Sequence, residues 1–350
     1  VAGRFHARIV DQARAKRAGN EKSLGSLAML RLIALALCLL HTVSAAAQGY
    51  PNGPVTMVIP FAAGGPTDVL GRIVAEHMSK TLGQSVVVEN VGGAGGMTGG
   101  SRVAKAKPDG QTIMIGTVGT HAQNQTLFAR PQYDAASDFA PVALIAEVPL
   151  VLLTKKTLPP NSLQEFIAYT KENQASMNFA SAGNGSAVHL GCVMLNMAIG
   201  VNTTHVPYRG SGPAMNDLIA GQVDYFCDTI SGAVPQVQAQ TLKALAYFGK
   251  TRSPALPDLP TAQEQGLAGF EAYTWNAIFA PKGTPPEIVG RLNAAAIAAM
   301  DDEGVKARLA VLGAQIVAPE RRTPDYLAGF VKAEIEKWAV PIRQSGARVD

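Results

Sequence analysis

PFAAGGPTD, residues 60–68, joins an apolar run, VTMVI (55–59), to VLGRIVAEHMSKTLG (69–83), which carries apolar residues at helical spacing. A strand handing over to a helix through two glycines and a proline is the unit from which α/β folds are built. Pro66 suits the first helical position, where its missing N–H would have no partner. That makes Gly65 the N-cap and places Thr67 and Asp68 second and third in the helix. The N–H groups of Thr67 and Asp68 are then among the free donors of a helix start, and Gly64 and Gly65 let a ligand approach without a Cβ in the way. For the stretch alone three readings stay open: an ordinary turn, a phosphate cradle, or the seat of a smaller anion. Asp68 brings its own negative charge, which argues against a dianionic phosphate and leaves a carboxylate compatible.

Outward from this junction, strand and helix patterns alternate. The spacing predicts a helix over 66–82 with Leu70, Ile73, Val74, His77 and Met78 on one face, strands at 85–89 and 112–116, and a short helix ending near 103–106. The 85–89 run, SVVVE, is too apolar for a half-exposed strand and fits a parallel sheet covered on both faces. A second series runs from 150: strands at 150–154, 177–180, 204–206, 223–228 and 244–248, with helices at 162–172, 188–197 and 214–220 between them. PALPDLPT (254–261) interrupts it as a proline-rich surface connection. A further strand at 272–279 leads to PKGTPPEIVGRL, where a proline pair opens a helix, and the last helix spans 324–342. Neither Val148–Leu153 nor Ala272–Trp275 is rich in glycine or serine, so both read as stiff strand-like crossings. The expected architecture is therefore two α/β lobes, each with a mostly parallel sheet: 48–150 plus 276–350 form lobe 1 and 151–275 form lobe 2, with a cleft between them.

The net charge of +4 invites a nucleic-acid reading, but its location argues against one. Residues 1–47 carry seven Lys/Arg and two acids, leaving 23 basic against 24 acidic residues in the rest of the chain, and no basic patch. MLRLIALALCLL (29–40) followed by HTVSAAAQ (41–48) has the basic start, compact apolar core and small-residue exit of a secretory signal peptide. The apolar run is shorter than the ~20 residues of a spanning helix. Cleavage is expected near Ala47/Gln48, with Met29 the better natural start, and the protein is expected in the periplasm. Leu37 is too large for the residue preceding a lipidated cysteine, so Cys38 is not read as an anchor. Cys192 and Cys227 remain after cleavage; both lie in apolar segments and read as buried free thiols, with a disulfide left open by their spacing.

Four polar loops follow predicted strands, where ligands of open α/β sheets gather. Besides 60–68, GTVGTHAQNQ (116–125) offers Thr117, Thr120, His121 and Asn124 to orient a polar ligand or cap a helix. FASAGNGSAVHLG (179–191) presents Ser181, Ala182, Gly183 and Ser186, with His189 one turn into a helix that Ser186 caps. HVPYRGSGPAMNDLIAGQVDYFCDT (205–229) places Tyr208 and Arg209 just after a strand and Asp228 at the end of the next; Arg209 is suited to an acidic ligand or to a surface acid such as Asp217. The glycine cluster VENVGGAGGMTGGSRVA (88–104) lacks GxxxxGK[ST] and breaks GxGxxG at Thr98, so it reads as a close backbone approach beside a cleft rather than a nucleotide loop. Catalytic readings find no support: GxSxG is absent, His121, His189 and His205 have no metal-ligand spacing, and nothing selects an acid–base pair. Neither a cofactor nor a metal is expected.

YPNGPVTMVIPFAAGGPTD (50–68), VVVENVGGAGGMTGG (86–100), DGQTIMIGTVGTHAQN (109–124), HVPYRGSGPAMNDLIAGQVD (205–224) and APKGTPPEIVGRLN (280–293), in this order behind a signal peptide, resemble the extracytoplasmic solute receptors of the tripartite tricarboxylate transporters, the Bug or TctC-like family. The resemblance spans about 50–345. It implies a type II-like Venus-flytrap receptor, not an enzyme, whose two lobes are joined by two β crossings. Such a receptor closes on a small organic anion and hands it to cognate membrane permease subunits, working as a monomer. It further implies that one ligand carboxylate meets the backbone between Gly65 and Asp68, including Pro66 and Thr67. Thr117, Thr120, His121 and Asn124 would line the lobe 1 side and Ser181, Ala182, Gly183, Ser186 and His189 the lobe 2 side, with Tyr208, Arg209 and Asp228 at the back or rim. The tail beyond 280 would pack lobe 1 without touching solute. Few cleft arginines favour a dicarboxylate held by neutral donors. The alternatives are an aromatic carboxylate, or a secreted enzyme or chemosensory module using the same fold.

Overall fold

Three parallel strands begin the chain's sheet: β1 (Val55–Ile59) lies between β2 (Val86–Asn90) and β3 (Thr112–Thr117). This computed structural model describes residues 49–349, so the signal-peptide reading lies outside the described residues. Pro51 onward belongs to one compact unit.

Two long strands carry the sheet onward. β4 (Phe139–Lys155) spans 17 residues, and its first part pairs antiparallel with β9 (Tyr273–Pro281), which in turn pairs with β3. From Leu150 the partner of β4 changes, to β7 (Tyr225–Thr229) on one side and β8 (Leu242–Tyr247) on the other. Beyond β7 the sheet continues in parallel through β5 (Asn178–Ser181) to β6 (Thr204–Pro207). A two-residue strand, β10 (Gln315–Ile316), pairs with β4 at Ala146 and Glu147. The order is β2-β1-β3-β9-β4-β7-β5-β6. The result is two parallel trios bridged by antiparallel strands. Chain passes between the trios twice: along β4 at Pro149–Leu150, and at Ala272, whose N–H donates to Phe248 and whose carbonyl accepts from Leu150 just before β9 begins. Both places match the expected stiff crossings, and this is the two-lobed α/β architecture.

Two elements escape the sequence pattern. Residues 139–147 continue β4 ahead of the expected strand; the register shifts between Pro141 and Ala143 and again between Leu144 and Ala146 absorb the irregularity. The helix Ile230–Gln238 forms despite Ser231-Gly232 at its start and Pro235 within it.

The last helix, Pro324–Ser345, closes the core beneath β9. Buried Glu334 on it accepts the indole N–H of both Trp275 and Trp338, each at 3.0 Å, and its other oxygen pairs with Lys337 at 2.9 Å. A buried carboxylate is tolerable because its acceptor sites are filled. The same cluster reaches Leu190, so the tail packs against the second series of elements as well as the first.

The two cysteines are joined, correcting their reading as free thiols: Cys192, on the helix Ala187–Ile199, bonds to Cys227 on β7 with the Cα atoms 5.3 Å apart. The helix lies across β7, bringing together residues that the sequence separates by 35 positions.

Candidate ligand-binding cleft

The 60–68 junction forms as its residues dictate. Gly64 sits at φ +80°, a conformation that glycine adopts without steric cost, and Gly65 is an extended N-cap followed by Pro66 at the first helical position of Pro66–Leu82. The Asp68 side chain is buried and fully used: Oδ2 accepts from Gly64 N at 2.9 Å and Arg72 Nε at 3.0 Å, and Oδ1 accepts from Asn90 Nδ2 at 2.9 Å. Burial works against its charge, but the bonds from Arg72, Gly64 and Asn90 outweigh it and hold the carboxyl below its ordinary value. Asp68 therefore ties the turn together from behind. The cleft side keeps the backbone of Gly65 and Thr67.

A cavity takes its walls from both series of elements. Six of its lining side chains are hydroxyls: Thr67 and Thr117 from the first, Ser186, Ser211 and Thr229 from the second, and Thr274 from the start of β9. Phe61, Pro66, Ala182, Ala187 and Val188 add apolar surface, and no Lys, Arg, Asp or Glu lines it. Four helices start at this wall: Pro66–Leu82 after Gly65, Ala187–Ile199 after Ser186, Ser211–Ile219 at Ser211 itself, and Ile230–Gln238 after Thr229. Each helix start carries unpaired N–H donors and roughly half a positive charge, worth about 0.3–1 kcal/mol to an anion and more when partly buried. Four together offer about 1–4 kcal/mol. An exposed ion pair gives only ~0–1 kcal/mol, so this wall attracts an anion without a cation.

Of the residues singled out from sequence, Gly65, Pro66, Thr67, Thr117, Ala182 and Ser186 meet at the cavity. Thr120, His121 and Asn124 stand behind it. The Thr120 hydroxyl is bonded within its own turn, 2.9 Å from Thr117 N and from His121 Nδ1. His121 is fully buried, stacked on Phe279 at 3.8 Å and against Phe139 at 4.7 Å, and burial pushes its pKa down to about 3, leaving it neutral. Asn124 Nδ2 donates to Gly95 O at 3.3 Å. On the other side Ser181 Oγ sits 2.6 Å from His205 Nε2 and accepts from Gly183 N at 3.0 Å. Ser186 caps its helix by accepting from His189 N at 3.2 Å. His189 accepts from Gly185 N through Nδ1 and stacks on His205 at 4.1 Å; burial, with His205 adding to it, pushes it down to about 3. Tyr208 donates to Asp217 at 2.6 Å, so the acid considered for Arg209 is engaged elsewhere; Arg209 is exposed. Asp228 is buried at the end of β7, where its Oδ1 accepts from Ser211 Oγ at 2.9 Å.

Ser211, Thr229, Thr274 and Phe61 were not singled out in advance. Thr229 ends β7, and Ser211, between Gly210 and Gly212, opens the helix that follows β6, so the rule that ligands gather at strand ends contained the signal for both.

The glycine cluster at 92–96 meets the opposite half backbone to backbone. A Cβ on Gly95 would lie 2.0 Å from Asn184 O, and one on Gly92 would lie 2.8 Å from Arg209 O. Ala62 N donates to Arg209 O at 3.1 Å across the same seam. The halves are closed on one another around the cavity.

Two α/β halves, joined by two strands and shut over a cavity of helix starts, define a two-lobed solute-binding protein. Residues 70–346 match the family described as the tripartite tricarboxylate transporter family receptor, and the chain belongs to that family. Similar solved structures include the periplasmic binding protein BugD, 41% identical, covering 85% of this chain and 99% of that one with a TM-score of 0.83. MatC from Rhodopseudomonas palustris with bound malate is 45% identical over 84% of this chain and 100% of that one, with a TM-score of 0.82. A second R. palustris protein, Rpa4515 with adipate, is 36% identical over 85% of this chain and 98% of that one, with a TM-score of 0.81.

Proposed function

We propose that this chain is a periplasmic receptor that captures a small dicarboxylate between its lobes and delivers it, as a monomer and without turnover, to the permease of a tripartite tricarboxylate-type transporter. The observation that carries the reading is the convergence of four helix starts and six hydroxyls on a cavity with no charged side chain. Neutral donors suit a carboxylate, and malate and adipate in related proteins favour two carboxylates on one ligand. One carboxylate meets the backbone of Gly65 and Thr67, with Thr117, Ala182 and Ser186 around it and Ser211, Thr229 and Thr274 completing the wall. Lobe 1 comprises 48–150 and 276–350 and lobe 2 comprises 151–275, a division favoured by the change of partner along β4 at Leu150. The disulfide fits an oxidising compartment.

A thermal-shift screen of dicarboxylates, tricarboxylates and aromatic acids against the protein beginning at Gln48 tests the proposal. A ligand bound only by the folded state at a hundred times its Kd stabilises by about 2.7 kcal/mol. A dicarboxylate is expected to give the largest shift. An aromatic acid giving it instead would reassign the ligand, and no shift from any organic acid would refute the receptor reading.

A further inference from the structure

The wall of the cavity contains one hydrogen-bond chain whose direction matters. Ser211 Oγ faces the cavity and donates to Asp228 Oδ1 at 2.9 Å, while Asp228 Oδ2, fully buried, has no hydrogen-bond partner. With Asp228 ionised, the Ser211 proton is committed away from the cavity, and the hydroxyl shows only lone pairs to whatever sits there. An anion against that face would meet acceptors, with a second buried negative charge behind them.

We propose that Asp228 takes up a proton when the carboxylate binds and, as a donor to Ser211, turns the Ser211 hydroxyl toward the ligand. The inference rests on the cavity taking a carboxylate. The step balances simply: one proton from solvent goes to the Asp228 carboxyl, Asp228 O–H donates to Ser211 Oγ, and Ser211 O–H donates to the bound carboxylate. No bond between heavy atoms changes. Asp228 is thereby a positioning residue that acts through Ser211.

Its surroundings favour this. Burial pushes the Asp228 carboxyl up to about 7, although the Thr229 backbone and Ser211 pull it back, so protonation near neutral pH comes at little cost. None of the charged or titratable groups on the packed elements is bonded to it. On β4, Glu147 pairs with Arg321 and Lys155 with Asp224. On the helix Ala187–Ile199, His189 is neutral and bonded to Gly185 N, and Cys192 is in the disulfide. On Ser211–Ile219, Asp217 is held by Tyr208; Ile230–Gln238 has no ionisable side chain. At the start of Pro66–Leu82, which faces Gly232 through Pro66, Asp68 is saturated by Arg72, Asn90 and Gly64. Gly232 also leaves room for the free oxygen, since a Cβ there would lie 2.3 Å from Oδ2.

Titration calorimetry of the full mature protein tests the inference, with the acid identified by the screen and buffers of different ionisation enthalpy, above the acid's own titration range. Wild-type binding is expected to take up about half a proton near pH 7 and close to one above about pH 8, with affinity falling by up to tenfold per pH unit only above about pH 7. Asp228→Asn, whose amide can donate to Ser211 Oγ permanently, is expected to abolish the uptake and flatten the pH dependence. Binding by the wild type without proton uptake overturns the inference and leaves the receptor reading intact; that measurement stands even if the variant fails to fold. Uptake that persists in a folded Asp228→Asn variant overturns it too. If no organic acid binds at all, the receptor reading itself falls and takes the inference with it.

Discussion

Replacing Gly95 by alanine separates closure from folding. Gly95 lies at φ +59°, where a Cβ costs about 1–2 kcal/mol. That strain lowers stability whether the lobes are open or closed. The steric clash is different in kind: the new Cβ would stand 2.0 Å from the backbone oxygen of Asn184 and 2.9 Å from its carbonyl carbon, both in the opposite half. No side chain can swing away to relieve it, so the halves must part by about 1 Å, and contacts lose a quarter to a half of their well depth over such a gap. Across a seam that also holds the Ala62–Arg209 hydrogen bond, the penalty to the closed state is about 3 kcal/mol, or roughly a hundredfold in affinity. Gly83→Ala provides the comparison. Gly83 has φ +69° at a helix C-cap with nothing within 4 Å of its Cβ position, so it adds the same strain and no clash. Both variants are expected to melt a few degrees below wild type, and only Gly95→Ala to lose affinity by calorimetry with the acid found in the screen. Wild-type affinity in Gly95→Ala would refute the argument that this seam belongs to the closed state.

Further outcomes follow from the core. Replacing Cys192 and Cys227 by serine removes a cross-link over 35 residues, expected to cost about 3–4 kcal/mol in denaturant unfolding, with reductant having the same effect on wild type and none on the variant. His121 is held neutral, with its pKa lowered from 6.5 to about 3, so the stabilisation is complete above pH 6.5 and lost as pH falls toward 3, at up to about 1.4 kcal/mol per unit. His121→Phe, which fits the stack on Phe279, is expected to remove this share of the acid limb and leave that of His189, which burial also holds neutral; an unchanged limb would refute the assignment to His121.

The βα junctions were legible because their residues act locally: Pro66 can only begin its helix, and Gly64 occupies the left-handed turn before it. What the sequence hid depends on partners far along the chain. Nothing local marks 139–147 as strand, yet a register shift beside Pro141 carries β4 through it. The inward direction of His121 could not be read from α-helical spacing, because Gly119–Gln123 forms a π-type turn that inserts a residue and rotates the side chains beyond it. Thr274 and Phe61 look like ordinary strand and turn residues until the two halves of the molecule are folded against one another. Pairing of Cys192 with Cys227 likewise required the helix to lie across β7.

The seam between the halves is made largely of main chain, with Gly92, Gly95, Gly183 and Gly210 each too close to opposing or neighbouring backbone for a side chain. The wall of the cavity is made of side chains, half of them hydroxyl-bearing and most of the rest apolar. Shutting the molecule and choosing its cargo are thus written in different atoms. A change of serine, threonine or phenylalanine in the wall can alter which acid is preferred while the jaws still meet as before, so one closing movement can serve a lineage of receptors with divergent diets.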